Sequence, residues 1–169
     1  DRFGNANSAF LFNGNNYIDA TFSTPQTATF SAWALLGSQS DTGDMLFTMN
    51  SSNAVDFWIF EGCNGAMWNT WDSCGNTFSG GDLNQVVRDG RYHHYTIVND
   101  QVNNLTSLYI DGTLFGTARY RYAAGSNFRV GAAPASLSYG WDGVIDEIQV
   151  YNSALSGDQV STLYANGSV

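Results

Sequence analysis

Gly140-Trp141-Asp142-Gly143-Val144-Ile145-Asp146-Glu147-Ile148-Gln149-Val150-Tyr151 reads as a strand whose alternation is broken once. Ile145, Ile148 and Val150 do not keep a strict period of two against Val144, Glu147, Gln149 and Tyr151, and the break falls at Asp146-Glu147. An acidic pair inside an apolar run needs a partner, a bulge or a metal. Downstream, Ser156 with Gln159 three residues on forms a capping box, and Val160, Leu163 and Tyr164 make one apolar face. Asn166-Gly167 is a stop signal, so one short helix is expected to close the chain.

Composition narrows the function. The 169 residues (1–169) fit one domain, and 43% hydrophobic with 15% aromatic content suffices for a core. The net charge is −9, and all six basic residues are arginine. Nucleic acid and anionic membranes bind through dense positive charge, so neither is an expected partner. An acidic, lysine-free surface suits a secreted or extracellular setting. No signal peptide begins the sequence and no run approaches a membrane span; Asp1-Arg2-Phe3-Gly4 reads as the start of a module processed or excised from a larger, multidomain chain.

Strand signals recur along the chain at 8–12, 17–22, 27–36, 44–50, 54–61, 92–99, 106–111, 112–122 and 128–131, with turn residues about every ten positions. Many short strands and one helix mean an all-β sandwich or barrel. Between the fifth and sixth of these runs lies a Gly- and Asn-rich stretch holding Cys63 and Cys74, which read either as two buried thiols or as a disulfide stapling a long hairpin loop. The disulfide is the expectation carried forward. His93 and His94 are adjacent on a strand and so point to opposite faces.

Several segments resemble a known family. Asn7-Ser8-Ala9-Phe10-Leu11-Phe12-Asn13-Gly14-Asn15-Asn16-Tyr17-Ile18 is similar to the opening strand pair of laminin-G-like, concanavalin-like jelly rolls, and Phe30-Ser31-Ala32-Trp33 to their next strand. Tyr92-His93-His94-Tyr95-Thr96-Ile97-Val98 resembles a tryptophan-histidine-histidine strand with Tyr92 in the tryptophan's place. Leu108-Tyr109-Ile110-Asp111-Gly112 resembles the hairpin after it, and Gly143 to Ser156 the closing strand with its helix lead-in. The resemblance implies a two-sheet antiparallel β-sandwich, a jelly roll. It leaves function open, because that fold carries lectins, sugar-binding modules, adhesion modules and polysaccharide-cleaving enzymes. In similar jelly rolls a calcium ion is held by the acidic residue of the last strand with oxygens from the first segments. That implies a structural calcium at Asp146, with Gly14 and Asn16 as further ligands; the alternative is that Asp146 accepts backbone hydrogen bonds from the adjacent turn.

Catalysis finds little support in the residues. Glycosidases need two acids at a defined separation, and the only glutamates, Glu61 and Glu147, lack a second acid two residues away. A lyase wants a Tyr or His base with Arg or Gln neutralising a uronate, and the His93-His94 strand is shared with non-catalytic relatives. Binding is the better expectation. Sugars are met by aromatic faces and by hydrogen-bonding polar groups. Trp68, Asn69 and Trp71 lie in the polar cysteine loop, and Trp58 lies on a strand with Asp56 and Phe60 on one face and Val55, Phe57 and Ile59 on the other. Arg119 and Arg121 alternate onto one strand face and suit an acidic glycan, and Tyr139 lies by the Gly140 turn. The function expected is a carbohydrate-binding module or lectin domain that binds a polysaccharide. A polysaccharide lyase or glycoside hydrolase, and a protein-binding adhesion module, are the alternatives.

Overall fold

Alternate large apolar side chains turn inward from two facing layers of strands. The computed structural model describes residues 1–23, 25–37, 44–49, 55–60, 65–69, 78–119, 126–133 and 139–167, with 55–60 and 65–69 as backbone plus the side chain of Phe57. The strands are β1 (Phe10–Asn13), β2 (Ile18–Thr21), β3 (Ala28–Leu36), β4 (Asp44–Met49), β5 (Val55–Phe60) and β6 (Gly65–Asn69). After a one-turn helix α1 (Asn84–Val87) come β7 (Tyr92–Asp100), β8 (Leu105–Ile110), β9 (Thr113–Ala118), β10 (Asn127–Val130), β11 (Asp142–Tyr151) and the closing helix α2 (Gly157–Asn166). They form a six-stranded sheet, β1-β11-β3-β7-β8-β9, and a five-stranded sheet, β2-β10-β4-β5-β6. The ladders within both sheets are antiparallel. The chain passes repeatedly from one layer to the other, which gives the jelly-roll sandwich implied by the resemblance.

Between the sheets, Phe128 stacks on Phe30 at 5.6 Å and on Phe47 at 5.7 Å between ring centroids. Phe57, Tyr95 and Trp141 extend this aromatic layer, the last two edge to face at 6.2 Å. Burial of such rings drives the layers together, and truncating one to alanine typically costs about 3–5 kcal/mol. The outer face of the six-stranded sheet is covered by α2: Val160 and Leu163 pack with Val98 and Leu155, and Tyr164 stacks on Trp33 at 5.4 Å. The expected capping box is present at Ser156 and Gln159, and Gly167 ends the helix in a left-handed conformation. A methyl group on Gly112 would lie 3.1 Å from Cβ of Tyr164, so glycine at this turn lets the β8–β9 hairpin meet the helix.

The broken alternation in β11 is a bulge. Asp146 pairs with Trp33 and Gln149 with Ser31, which leaves Glu147 and Ile148 opposite a single residue of β3. Glu147 takes φ 48°, and its N–H donates to Oδ1 of Asp146 at 2.8 Å. The inserted residue resets the pleat, so Ile145, Ile148 and Val150 all reach the core. Glu147 itself points outward to Arg2, 3.3 Å away.

Two expectations need correction. Residues 65–69 form β6, an edge strand paired with β5, where a loop was expected. The closing helix α2 is present as expected, and the one-turn helix α1 precedes β7. The ninth strand ends at Ala118, paired with Thr106, and residues 120–122 of the expected run lie outside the described residues. Arg119 therefore lies past the strand. No described helix is long and apolar enough to cross a membrane.

Candidate functional site

Two regions gather polar side chains. The first is the outward face of the five-stranded sheet. Phe57 is fully buried, and strand alternation then assigns the positions of Val55, Phe57 and Ile59 to the inward face and those of Asp56, Trp58 and Phe60 to the outward one. Register extends the outward set across the sheet: Asp19 pairs with Arg129, Arg129 with Thr48, Thr48 with Asp56 and Asp56 with Asn69. Beside this polar row, Met45 pairs with Trp58 and Trp58 with Met67. Over β4 the row is bridged by the segment 131–133: Thr48 Oγ1 donates to the Ala132 carbonyl at 3.1 Å, and Arg129 Nη1 donates to the Ala133 carbonyl at 2.8 Å. On the β2 side, Arg129 Nε and Nη2 donate to the two carboxylate oxygens of Asp19 at 2.7 and 2.9 Å. The guanidinium carbon lies 3.7 Å from the centroid of the exposed Tyr17 ring.

The second region lies at one end of the sandwich. His93 is held between two carboxylates, with Nδ1 2.7 Å from Asp111 Oδ2 and Nε2 3.0 Å from Asp89 Oδ1. The Asp111 hydrogen bond is the main reason its pKa is raised, against the opposing pull of burial. Asp89 is lowered chiefly by the same hydrogen bond to His93. Asp111 is lowered although burial pushes it upward, because the bonds from His93 and from the His94 N–H outweigh that penalty. Carboxylates at both ring nitrogens favour the charged form of His93, which fastens the α1–β7 connection to the β8–β9 turn with both nitrogens engaged. His94 is buried on the other face, between Trp33 at 5.2 Å and Tyr164 at 6.0 Å, and burial pushes its pKa down to about 4. Arg88 Nη2 lies 3.7 Å from the buried Asp44 carboxylate, and its Nε donates to Asn84 at 2.8 Å. Leu36, Gly37, Arg88, Asp89 and Gly90 line a cavity of about 420 Å³ beside these groups.

Of the residues singled out by sequence, the structure places Trp58 and Asn69 at outward positions of adjacent strands. Trp68 is registered opposite Phe57, so its position belongs to the inward set and not to a solvent loop. Tyr139, with φ 62°, offers its carbonyl to Met45 N–H at 3.0 Å beside β4. Arg119 is exposed beyond β9; Trp71, Arg121, Cys63 and Cys74 lie outside the described residues. Gly14, Asn16 and Asp146 are not brought together. Gly14 N–H bonds the Trp141 carbonyl at 2.9 Å, near the start of β11, whereas Asp146 is five residues, about 16 Å, further along at ordinary strand rise. Both ends of the Asn16 amide close the β1–β2 turn, accepting from Asn13 N–H and donating to the Leu11 carbonyl, each at 2.9 Å. Among the described residues no group of three or more His, Cys, Asp or Glu side chains could hold a metal ion. Sequence reasoning passed over Tyr17, Asp19 and Arg129. Their signal is the alternation Tyr17-Ile18-Asp19-Ala20 and Phe128-Arg129-Val130, in which the apolar members pack inward.

With this fold and these faces in view, comparison with known proteins identifies the class. A family model of the concanavalin A-like lectin/glucanases superfamily, of the laminin G type, matches residues 12–161, and the chain belongs to that family. No curated protein sequence matches. Among solved structures, the chain is similar to a heptameric SAP-like pentraxin from Limulus polyphemus (15% identity, TM-score 0.65, covering 98% of this chain and 81% of that one). It is also similar to domain 4 of AbnA, a GH43 extracellular arabinanase from Geobacillus stearothermophilus, in complex with arabinotriose (21%, 0.64, 92% and 76%). A third is the Ruminococcus gnavus IT-sialidase CBM40 bound to α2,3 sialyllactose (13%, 0.62, 92% and 97%). Likeness at these identities speaks to the fold.

Proposed function

We propose that this domain is a non-catalytic carbohydrate-binding module of a secreted, multidomain protein, and that it binds polysaccharide on the outward face of the five-stranded sheet. The observation that carries the reading is the register of that face: polar positions on all five strands, Asp19, Arg129, Thr48, Asp56 and Asn69, with the Trp58 position beside them. Aromatic planes cover the apolar C–H patches of sugar rings while amide and carboxylate groups take up hydroxyls. Two of the structurally similar domains were solved with arabinotriose and with sialyllactose, which supports the same ligand class here. A disulfide between Cys63 and Cys74 belongs to the same proposal, since a secreted setting permits it. The engagement of both His93 nitrogens argues against a histidine-based lyase.

Affinity electrophoresis and calorimetry against a panel of polysaccharides test the reading. The wild type is expected to bind at least one of them without releasing reducing ends or unsaturated products. Trp58→Ala is expected to weaken that binding about tenfold or more, the effect of losing roughly 1.4 kcal/mol of stacking. Product release, or full affinity in folded Trp58→Ala and Asn69→Ala variants, would overturn it.

A further inference from the structure

The β2–β10 half of the same face carries a cluster that sequence reasoning did not include. Tyr17 is 45% exposed although it lies flat against a guanidinium. The cation lies 3.7 Å from the ring centroid and so covers one face, and the contact fixes the ring's orientation before any ligand arrives. A ring fixed in this way loses little rotamer freedom on binding. Beneath it, Arg129 donates from Nε and Nη2 to Asp19 and from Nη1 to the Ala133 carbonyl. Each Asp19 oxygen accepts one of those bonds and keeps a second lone pair, and the Asp19 side chain is half exposed. The more exposed member of the pair is thus the accepting carboxylate, 52% exposed against 17% for Arg129, and it lies beside an aromatic plane.

We propose that Tyr17 and Asp19 form a subsite for a neutral, hydroxyl-bearing sugar ring, and that the Asp19–Arg129 pair discriminates against uronates and sulfated sugars. Tyr17 covers the C–H face of the sugar, and Asp19 accepts its hydroxyl protons. An acidic sugar would meet the Asp19 carboxylate and would have to displace a bidentate ion pair to reach the guanidinium, in a chain of net charge −9. This reverses the acidic-ligand preference that Arg119 and Arg121 suggest in the sequence, and it rests on the carbohydrate-binding reading above.

Calorimetry with arabino- and xylo-oligosaccharides as neutral probes and galacturonate oligomers as the acidic probe tests it in wild type, Tyr17→Ala, Tyr17→Leu, Asp19→Ala and Trp58→Ala. The wild type is expected to bind a neutral probe more tightly than the galacturonates. Tyr17→Ala should lose about tenfold for the neutral probe. Tyr17→Leu, which keeps apolar cover over Arg129 but has no flat ring, should lose a similar factor. Asp19→Ala should weaken neutral binding and strengthen galacturonate binding about tenfold, because the Nε–Nη2 edge of Arg129 then faces the ligand. If both Tyr17 variants bind like wild type while Trp58→Ala does not, this subsite is refuted and the carbohydrate-binding reading stands. A wild type that prefers galacturonates, with Asp19→Ala unchanged, refutes the selectivity. A wild type that binds none of the probes or polysaccharides removes both readings.

Discussion

His93 and His94 are neighbours in sequence and opposites in electrostatics. His93 is held charged by Asp111 and Asp89, so its contribution to stability is fully present below the unfolded pKa near 6.5 and fades as pH rises through its raised folded value. His94 is held neutral: the unfolded chain binds a proton below about 6.5 that the folded chain refuses until about 4, so stability falls on acidification across that window. A difference of that size corresponds to roughly 3 kcal/mol. Asp89 and Asp111, both lowered, stay ionised through the same window and add slope only at more acidic pH. Urea unfolding from pH 4 to 8 should therefore show two limbs. His94→Gln flattens the acid limb and His93→Gln the neutral-to-alkaline one, whereas a wild type equally stable at pH 7 and pH 4 would contradict the assignment. The opposite facing of the two rings was legible in the sequence. Which ring is charged was not, because Asp111 arrives from a turn eighteen residues away.

At the scale of elements, the slip at Asp146-Glu147 was legible as a need for a bulge, a partner or a metal. The structure supplies a bulge, with Arg2 as partner to Glu147. Asp146→Ala removes the acceptor for the bulged Glu147 N–H and should cost about 1 kcal/mol. The loss should be the same in calcium and in chelator. A calcium-dependent rise in Tm that disappears in this variant would assign the carboxylate to a metal instead. The C-terminal helix was fully legible because its signals are local: cap, apolar face and stop lie within a dozen residues. Ser156→Ala should lower stability by about 1 kcal/mol, read by the shift of the denaturation midpoint at constant slope. An unchanged midpoint would mean that packing of Val160 and Leu163 alone holds α2. The strand β6 was not legible, since Gly65-Ala66-Met67-Trp68-Asn69 lacks strand alternation and is extended through its pairing with β5.

Across the whole molecule, the two outer faces have different fates. On the six-stranded sheet, α2 covers Val98 and Trp33, and Arg2 lies 3.9 Å over the Trp33 ring, so Arg2 and α2 together close that face. Among the described residues no helix lies over the five-stranded sheet, which is bridged at β4 by the 131–133 segment, with Tyr17, Asp19 and Arg129 to one side and the Trp58 and Asn69 positions to the other. The sandwich itself could be read from strand spacing and family resemblance. The ligand face could not, because it depends on the register of strands distant in sequence: Asp19 meets Arg129 across 110 residues. Sugar binding on this face can be read by backbone amide NMR during titration with a neutral oligosaccharide. Shifts are expected to cluster on β2, β10, β5 and β6, with the amides of α2 and of the Arg88–Gly90 cavity unmoved. Shifts confined to that cavity or to the α2 side, with the five-stranded face silent, would contradict it.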